Sequence, residues 1–122
     1  MTEFFYDSYA IIEFIDGNKD YQKYFTVHTG VTTLYNVMEV YYSVLRERGE
    51  NKAKEVLILI KPIIVYPTLE DVELAMKFRL KHKDKRLSYA DCLGYTIARR
   101  KLVKFLTGDE GFKHIPYTEF VK

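Results

Sequence analysis

The stretch "EFFYDSYAIIEFIDG", Glu3 to Gly17, changes its period halfway along. "EFFYD" is a short apolar run of the kind that forms a buried strand, and "SYAIIEFIDG" has helical spacing and stops at a glycine. A strand running directly into a helix, with Asp7 at the junction, is the unit from which α/β folds are assembled.

The same alternation continues outward. "NKDYQKYF" reads as a second short helix and "VHTGVTT", Val27 to Thr33, as a strand. In "LYNVMEVYYSVLRER" the residues Leu34, Val37, Met38, Tyr41, Val44 and Leu45 recur at helical spacing, so this segment is expected to be an amphipathic helix closed by Gly49. "NKAKEVLILIK" gives a further helix stopped before Pro62, "IIVYP" a short strand, and "TLEDVELAMKFRLKH" a helix capped by Thr68 with Asp71 at its third position. After the polar connection "KDKRL", Ser88 caps a helix reaching about Leu102. "VKFL" is then a strand leading into "TGDEG", and "HIPYTEFVK" a last strand and tail. With no repeat or linker in its 122 residues, the chain is expected to be one domain, residues 1–122, of the α/β class.

Composition narrows the function. The longest apolar runs, such as "VLILI", fall far short of a membrane span, and "MTEFFYDSY" carries acids where a signal peptide needs bases; no membrane association and a cytoplasmic location are expected. The single Cys92 makes neither an internal disulfide nor a cysteine-based metal site. A net charge of +2 does not by itself mark a nucleic-acid binder. If four of the 17 acids gather in one site, however, the 19 bases face only 13 acids elsewhere, a remainder of +6 that would attract a polyanion.

Three carboxylates stand in apolar surroundings. Asp7 follows "FFY", Asp109 follows "KFLTG", and Asp91 is the lone charge in "YADCLGYTIA". Strand ends in open α/β sheets converge on one crevice, where Asp7 and Asp109 would meet. Gly94 and Ala98 share the face of Asp91 and are expected to leave open space beside it. Each acid also has a structural reading: Asp7 as a helix cap, Asp109 as a turn residue, and Asp91 as the partner of Ser88 in the capping box "SYAD". Glu39, a fourth candidate, lies off the apolar stripe on the side of Tyr35, Tyr42 and Arg46, as a solvated residue would.

Taken in order, "FFYDSYAIIEFI", "VTTLYNVMEVYYSVL", "SYADCLGYTIA" and "KFLTGDEGF" resemble the motifs of the PIN-domain ribonucleases, especially the VapC toxins of toxin–antitoxin pairs, over nearly the whole chain. The resemblance implies a small three-layer α/β domain with a central, mainly parallel sheet flanked by helices. It also implies an acidic metal-binding and catalytic site made of Asp7, Glu39, Asp91 and Asp109, with Thr107 as a supporting hydroxyl. Two departures are Asn36, where a Thr is frequent three residues before the glutamate, and Cys92 directly after the third acid.

Packed carboxylates cannot all stay ionised without a cation, and oxygen donors with His28, His82 and His114 outside the motifs favour Mg²⁺ or Mn²⁺ over zinc. The resemblance implies a metal-dependent endoribonuclease, the toxin of a type II pair, with RNA as substrate and a small antitoxin protein as partner. A homodimer is also expected, from the eleven tyrosines and the apolar surface that Asn51 to Lys61 offers. The alternative is a catalytically inactive PIN-like RNA- or protein-binding module. A phospho-accepting receiver domain fits poorly, since "YDSY" lacks adjacent acids and "IIVYPT" has none. Tyr6, Tyr9, Tyr35 and Tyr95 lie near the motifs, where bases could stack. "RRK", Arg99 to Lys101, reads either as a phosphate contact or as a solvated helix end.

Overall fold

The computed structural model describes residues 2–122, and the alternation read from the sequence becomes five strands and six helices among them. In chain order these are β1 (Glu3–Tyr6), α1 (Ser8–Ile15), α2 (Gln22–Thr26), β2 (Thr29–Thr33), α3 (Leu34–Arg48) and α4 (Glu50–Ile60). β3 (Ile64–Val65), α5 (Leu69–Lys81), α6 (Tyr89–Lys101), β4 (Lys104–Thr107) and β5 (Thr118–Phe120) follow. Every strand pairing is parallel, in the order β3-β2-β1-β4-β5. β1 is central: Phe5 registers with Val31 of β2 on one side and with Phe105 of β4 on the other.

Alternation along β1 and β4 sorts the core onto the two sheet faces. Phe4, Tyr6 and Leu106 pack with Ile11 of α1, Val37, Val40 and Val44 of α3, and Val56 of α4. Phe5 and Phe105 face the other way, against Cys92, Ile97 and Ala98 of α6 and Ala75 of α5. The result is three layers with the sheet between.

Two expectations change here. In α3 the buried stripe is Asn36, Val37, Val40 and Val44, whereas Leu34, Met38 and Leu45 are exposed. The segment has apolar residues in two helical phases, and the sheet takes the β-branched one. The open space expected beside Asp91 is also filled: α6 packs so tightly on the sheet at Gly94 that a Cβ there would lie 2.6 Å from Phe5 Cε1. The missing side chain at Gly94 makes room for a phenyl ring and not for a ligand. Gly49, at φ 88°, ends α3 in a conformation that a side chain would strain, and α4 starts at the next residue.

Candidate active site

The chain order leaves β1 on one side toward β2 and β3, and returns through α6 to place β4 on its other side. Between the carboxyl ends of β1 and β4 lies the crevice where α/β sheets bind ligands. Asp7 is the first residue beyond β1, and its N–H donates to Leu106 O of β4 at 3.1 Å. Its carboxylate is 2 % exposed. It accepts from Ser8 N (2.8 Å) as the cap of α1 and from the Thr107 hydroxyl (2.6 Å) at the end of β4. Thr107 Oγ1 in turn accepts from Asp109 N at 3.1 Å, and Asp109 Oδ1 accepts from Gly111 N at 2.9 Å. The Thr-x-Asp arrangement therefore ties Asp109 to Asp7 through one hydroxyl.

The other flank is built around Glu39 by Ser8, Asn36 and Thr33, none of which the sequence marks as part of the site. The Ser8 hydroxyl donates to Glu39 Oε1 at 2.6 Å and accepts from Asn36 Nδ2 at 3.0 Å, while Thr33, the cap of α3, donates to Asn36 Oδ1 at 2.6 Å. Glu39 keeps an exposed backbone position beside Tyr35 and Tyr42, yet Ser8 draws its carboxylate toward Asp7. Ser8 could have been suspected from its place next to Asp7. Asn36, fully buried, occupies the position that departs from the resemblance, and its amide performs a bridging role there.

Asp91 holds its capping box: Oδ2 accepts from Ser88 N at 2.8 Å and its N–H donates to Ser88 Oγ at 3.0 Å. Thr68 and Asp71 form the same box at the start of α5. There the equivalent acid is 1 % exposed and grips Arg100 through two bonds of 2.9 and 2.8 Å, so Asp71 does more than cap. That also changes the reading of "RRK": Arg100 is engaged by Asp71, and the Arg99 guanidinium lies 3.5 Å from the centre of the Tyr117 ring. Tyr6 and Tyr95 are buried, their hydroxyls donating to Tyr24 O and Pro116 O, and so present no face for stacking; Tyr35 is exposed.

The ionisation of the acids records their proximity. Burial first, then the charge of Asp91 and more weakly that of Glu39, push Asp7 up from 3.8 to about 8, although its bonds from Thr107 and Ser8 favour the carboxylate. Asp91 is raised too, by burial and then by Asp109 and Glu39, against the bonds from Ser88. Asp71, with Arg100 beside it, is lowered.

Among the described residues no three of His, Cys, Asp and Glu are gathered tightly enough to hold a metal ion by themselves. The donor set nevertheless fits a hard ion. Glu39 Oε2, Asp91 Oδ1 and Asp109 Oδ2 receive no hydrogen bond from the described residues, so each of these acids keeps one oxygen in reserve. Mg²⁺ retains several waters and is commonly held by few carboxylates together with substrate phosphate, which an open acid group suits. Burial and then the charge of Asp91 push the Cys92 thiol up to about 11, and His28 accepts from Thr2 N at 3.0 Å, before the start of β1.

The family model of the PIN domain matches residues 4–116. Among solved structures, the chain is similar to one of a toxin-antitoxin complex from Klebsiella pneumoniae, at 17% identity and a TM-score of 0.75, covering 97% of this chain and 95% of that one. No curated protein sequence matches it.

Proposed function

Because the chain belongs to the PIN-domain family, we propose that it is a nuclease, and specifically a metal-dependent endoribonuclease that acts as the toxin of a type II toxin–antitoxin pair. The observation that carries the reading is Asp7, a buried carboxyl raised to about 8 by its surroundings at the carboxyl end of the central strand, with three further acids around it. A protein gains no stability from such a group, and a bound cation would stabilise its ionised form and give it work to do.

Asp7, Glu39, Asp91 and Asp109 would hold Mg²⁺ or Mn²⁺, which when bound supplies a water of lowered pKa and positive charge against a phosphodiester. The chain's own contribution is positioning. Thr107 and Ser8 fix the Asp7 carboxylate from two sides, Asn36 and Ser8 aim Glu39, and the capping box commits one oxygen of Asp91. The Ser8 and Thr107 hydroxyls serve to position Glu39 and Asp7, and water is the attacking species. The likeness to a structure of a toxin–antitoxin complex supports an antitoxin protein as partner and, with it, a cytoplasmic site of action. Leu57, Ile58 and Leu59, exposed together on α4, support a homodimer.

The test is RNA cleavage with and without Mg²⁺ or Mn²⁺, by wild type and by Asp7→Asn and Asp91→Asn. Each variant should fold and lose cleavage, and full cleavage by Asp91→Asn would end this reading. Calorimetry of Mn²⁺ binding separates an enzyme from an inactive module, and Glu39→Gln should bind more weakly. Co-expression with a neighbouring small gene product should relieve any growth arrest caused by this chain.

A further inference from the structure

A groove of about 570 Å³ lies between α3, α5 and α6, walled by Tyr35 and Met38 on one side and by Met76 and Tyr89 on the other. That size suits an organic ligand rather than a water or an ion. Glu39 and Ser88 also line it. Glu39 is one of the four acids, and Ser88 holds Asp91, so whatever fills the groove lies beside whatever the acids act upon.

The charge of the groove's edge tells against a purely apolar occupant. The Arg79 guanidinium sits 4.5 Å from the centre of the Tyr89 ring, held by its Nε donating to Leu87 O at 3.0 Å. No acid pairs with it among the described residues, nor with the exposed Arg86 on the connection leading to Ser88. Tyr35 and Tyr89 are 49% and 67% exposed, large rings at the rim of an apolar slot. A ligand with flat faces and an anionic backbone satisfies both the aromatic walls and the unpaired cations. An apolar helix of a partner would satisfy only the walls.

Resting on the nuclease reading, we propose that this groove is the subsite for a nucleobase of single-stranded RNA adjacent to the bond that is cut, with Tyr35 and Tyr89 as its stacking residues and Arg79 as a phosphate contact. The base must be unpaired, because a stacked duplex offers no free face. The thioethers of Met38 and Met76 adapt to more than one ring shape, so the subsite favours having a base over having a particular base.

The test uses a short single-stranded RNA and its abasic versions, an abasic ribose being placed in turn along the strand and on each side of the bond the wild type cuts. Binding is read by fluorescence anisotropy in EDTA, and cleavage is read in Mn²⁺. Removing one base should weaken wild-type binding about tenfold or more, the range that stacking of a single base supports. Tyr89→Ala should lose similar affinity for intact RNA and no longer distinguish the abasic strand, Tyr89→Phe should behave as wild type, and Arg79→Gln should weaken all strands alike. Equal binding of intact and abasic RNA by the wild type overturns the subsite, and overturns it alone if cleavage proceeds. If Tyr35→Ala and Tyr89→Ala instead release a co-expressed partner protein and leave RNA binding unchanged, the groove is a protein site and the proposal is wrong. A wild type that neither cuts nor binds RNA removes the nuclease reading and the subsite with it.

Discussion

Asp7→Asn should stabilise the metal-free protein at neutral pH and destabilise it slightly in acid. In the unfolded chain this carboxyl titrates at 3.8, and in the fold it is raised to about 8, so folding takes up a proton anywhere between those values. The folded state binds more protons than the unfolded one, and stability therefore falls as pH rises through that window. Each pH unit is worth about 1.4 kcal/mol, so the interval from 3.8 to 7 amounts to about 4 kcal/mol, part of it shared with Asp91. Asparagine removes that penalty but cannot accept from both Ser8 N and the Thr107 hydroxyl, and the lost hydrogen bond costs about 1 kcal/mol. The variant should thus exceed wild type by about 3 kcal/mol at pH 7 and fall about 1 kcal/mol below it near pH 4. Urea unfolding in EDTA at several pH values between 4 and 8 measures both. A difference independent of pH, or one growing in wild type's favour as pH rises, would refute the reasoning. Added Mn²⁺ should reverse the order at neutral pH by binding only the folded wild type.

Gly94→Ala should lower stability by about 1–2 kcal/mol in thermal unfolding, because overpacking against Phe5 and Phe105 outweighs the gain in helix propensity; a more stable variant would contradict the packing described. Arg100→Met should cost about 2 kcal/mol at pH 7 by leaving buried Asp71 with its cap alone. Since Asp71 is lowered, that difference is present above the unfolded carboxylate pKa and should vanish as acid protonates the group. Thr107→Val removes a bond that favours ionised Asp7, so the acid limb of the cleavage profile should move to higher pH, and an unmoved limb would show that the hydroxyl has no such role. Ile58→Asp should shift any dimer toward monomer in light scattering without loss of fold, since Ile58 is exposed on α4.

The strands and helices were legible because each is announced locally. "FFY" ahead of Ser8 gives β1 and the start of α1, and Gly49 and Pro62 mark helix ends within a residue or two of those found. What stayed hidden depends on residues far apart in the chain. Asp71 and Arg100 are separated by 29 positions, and nothing near either one announces the pair. The stripe of α3 was misjudged because Leu34 and Met38 match Val37 and Val40 in hydropathy, and only the sheet chooses between the phases. At the acid group, Asp7, Asp91 and Asp109 were visible as charges in apolar company. The bridging roles of Ser8 and Asn36 were not, since a hydroxyl and an amide give no such contrast.

The two capping boxes, at the starts of α5 and α6, differ in what their acids meet. "TLED" and "SYAD" are the same local message, yet Asp71 is lowered by the Arg100 guanidinium on both its oxygens, whereas Asp91 has no such partner and is raised by burial and by the neighbouring Asp109 and Glu39. The molecule thus contains both a muted and an unmuted copy of one device. An arginine presented to Asp91 as Arg100 is presented to Asp71 would silence the group without altering any acid in it, and removing Arg100 would leave the chain with a second restless carboxylate on α5. Pattern searches that rank such boxes by their four letters will treat the two as equals; the letter that distinguishes them is elsewhere.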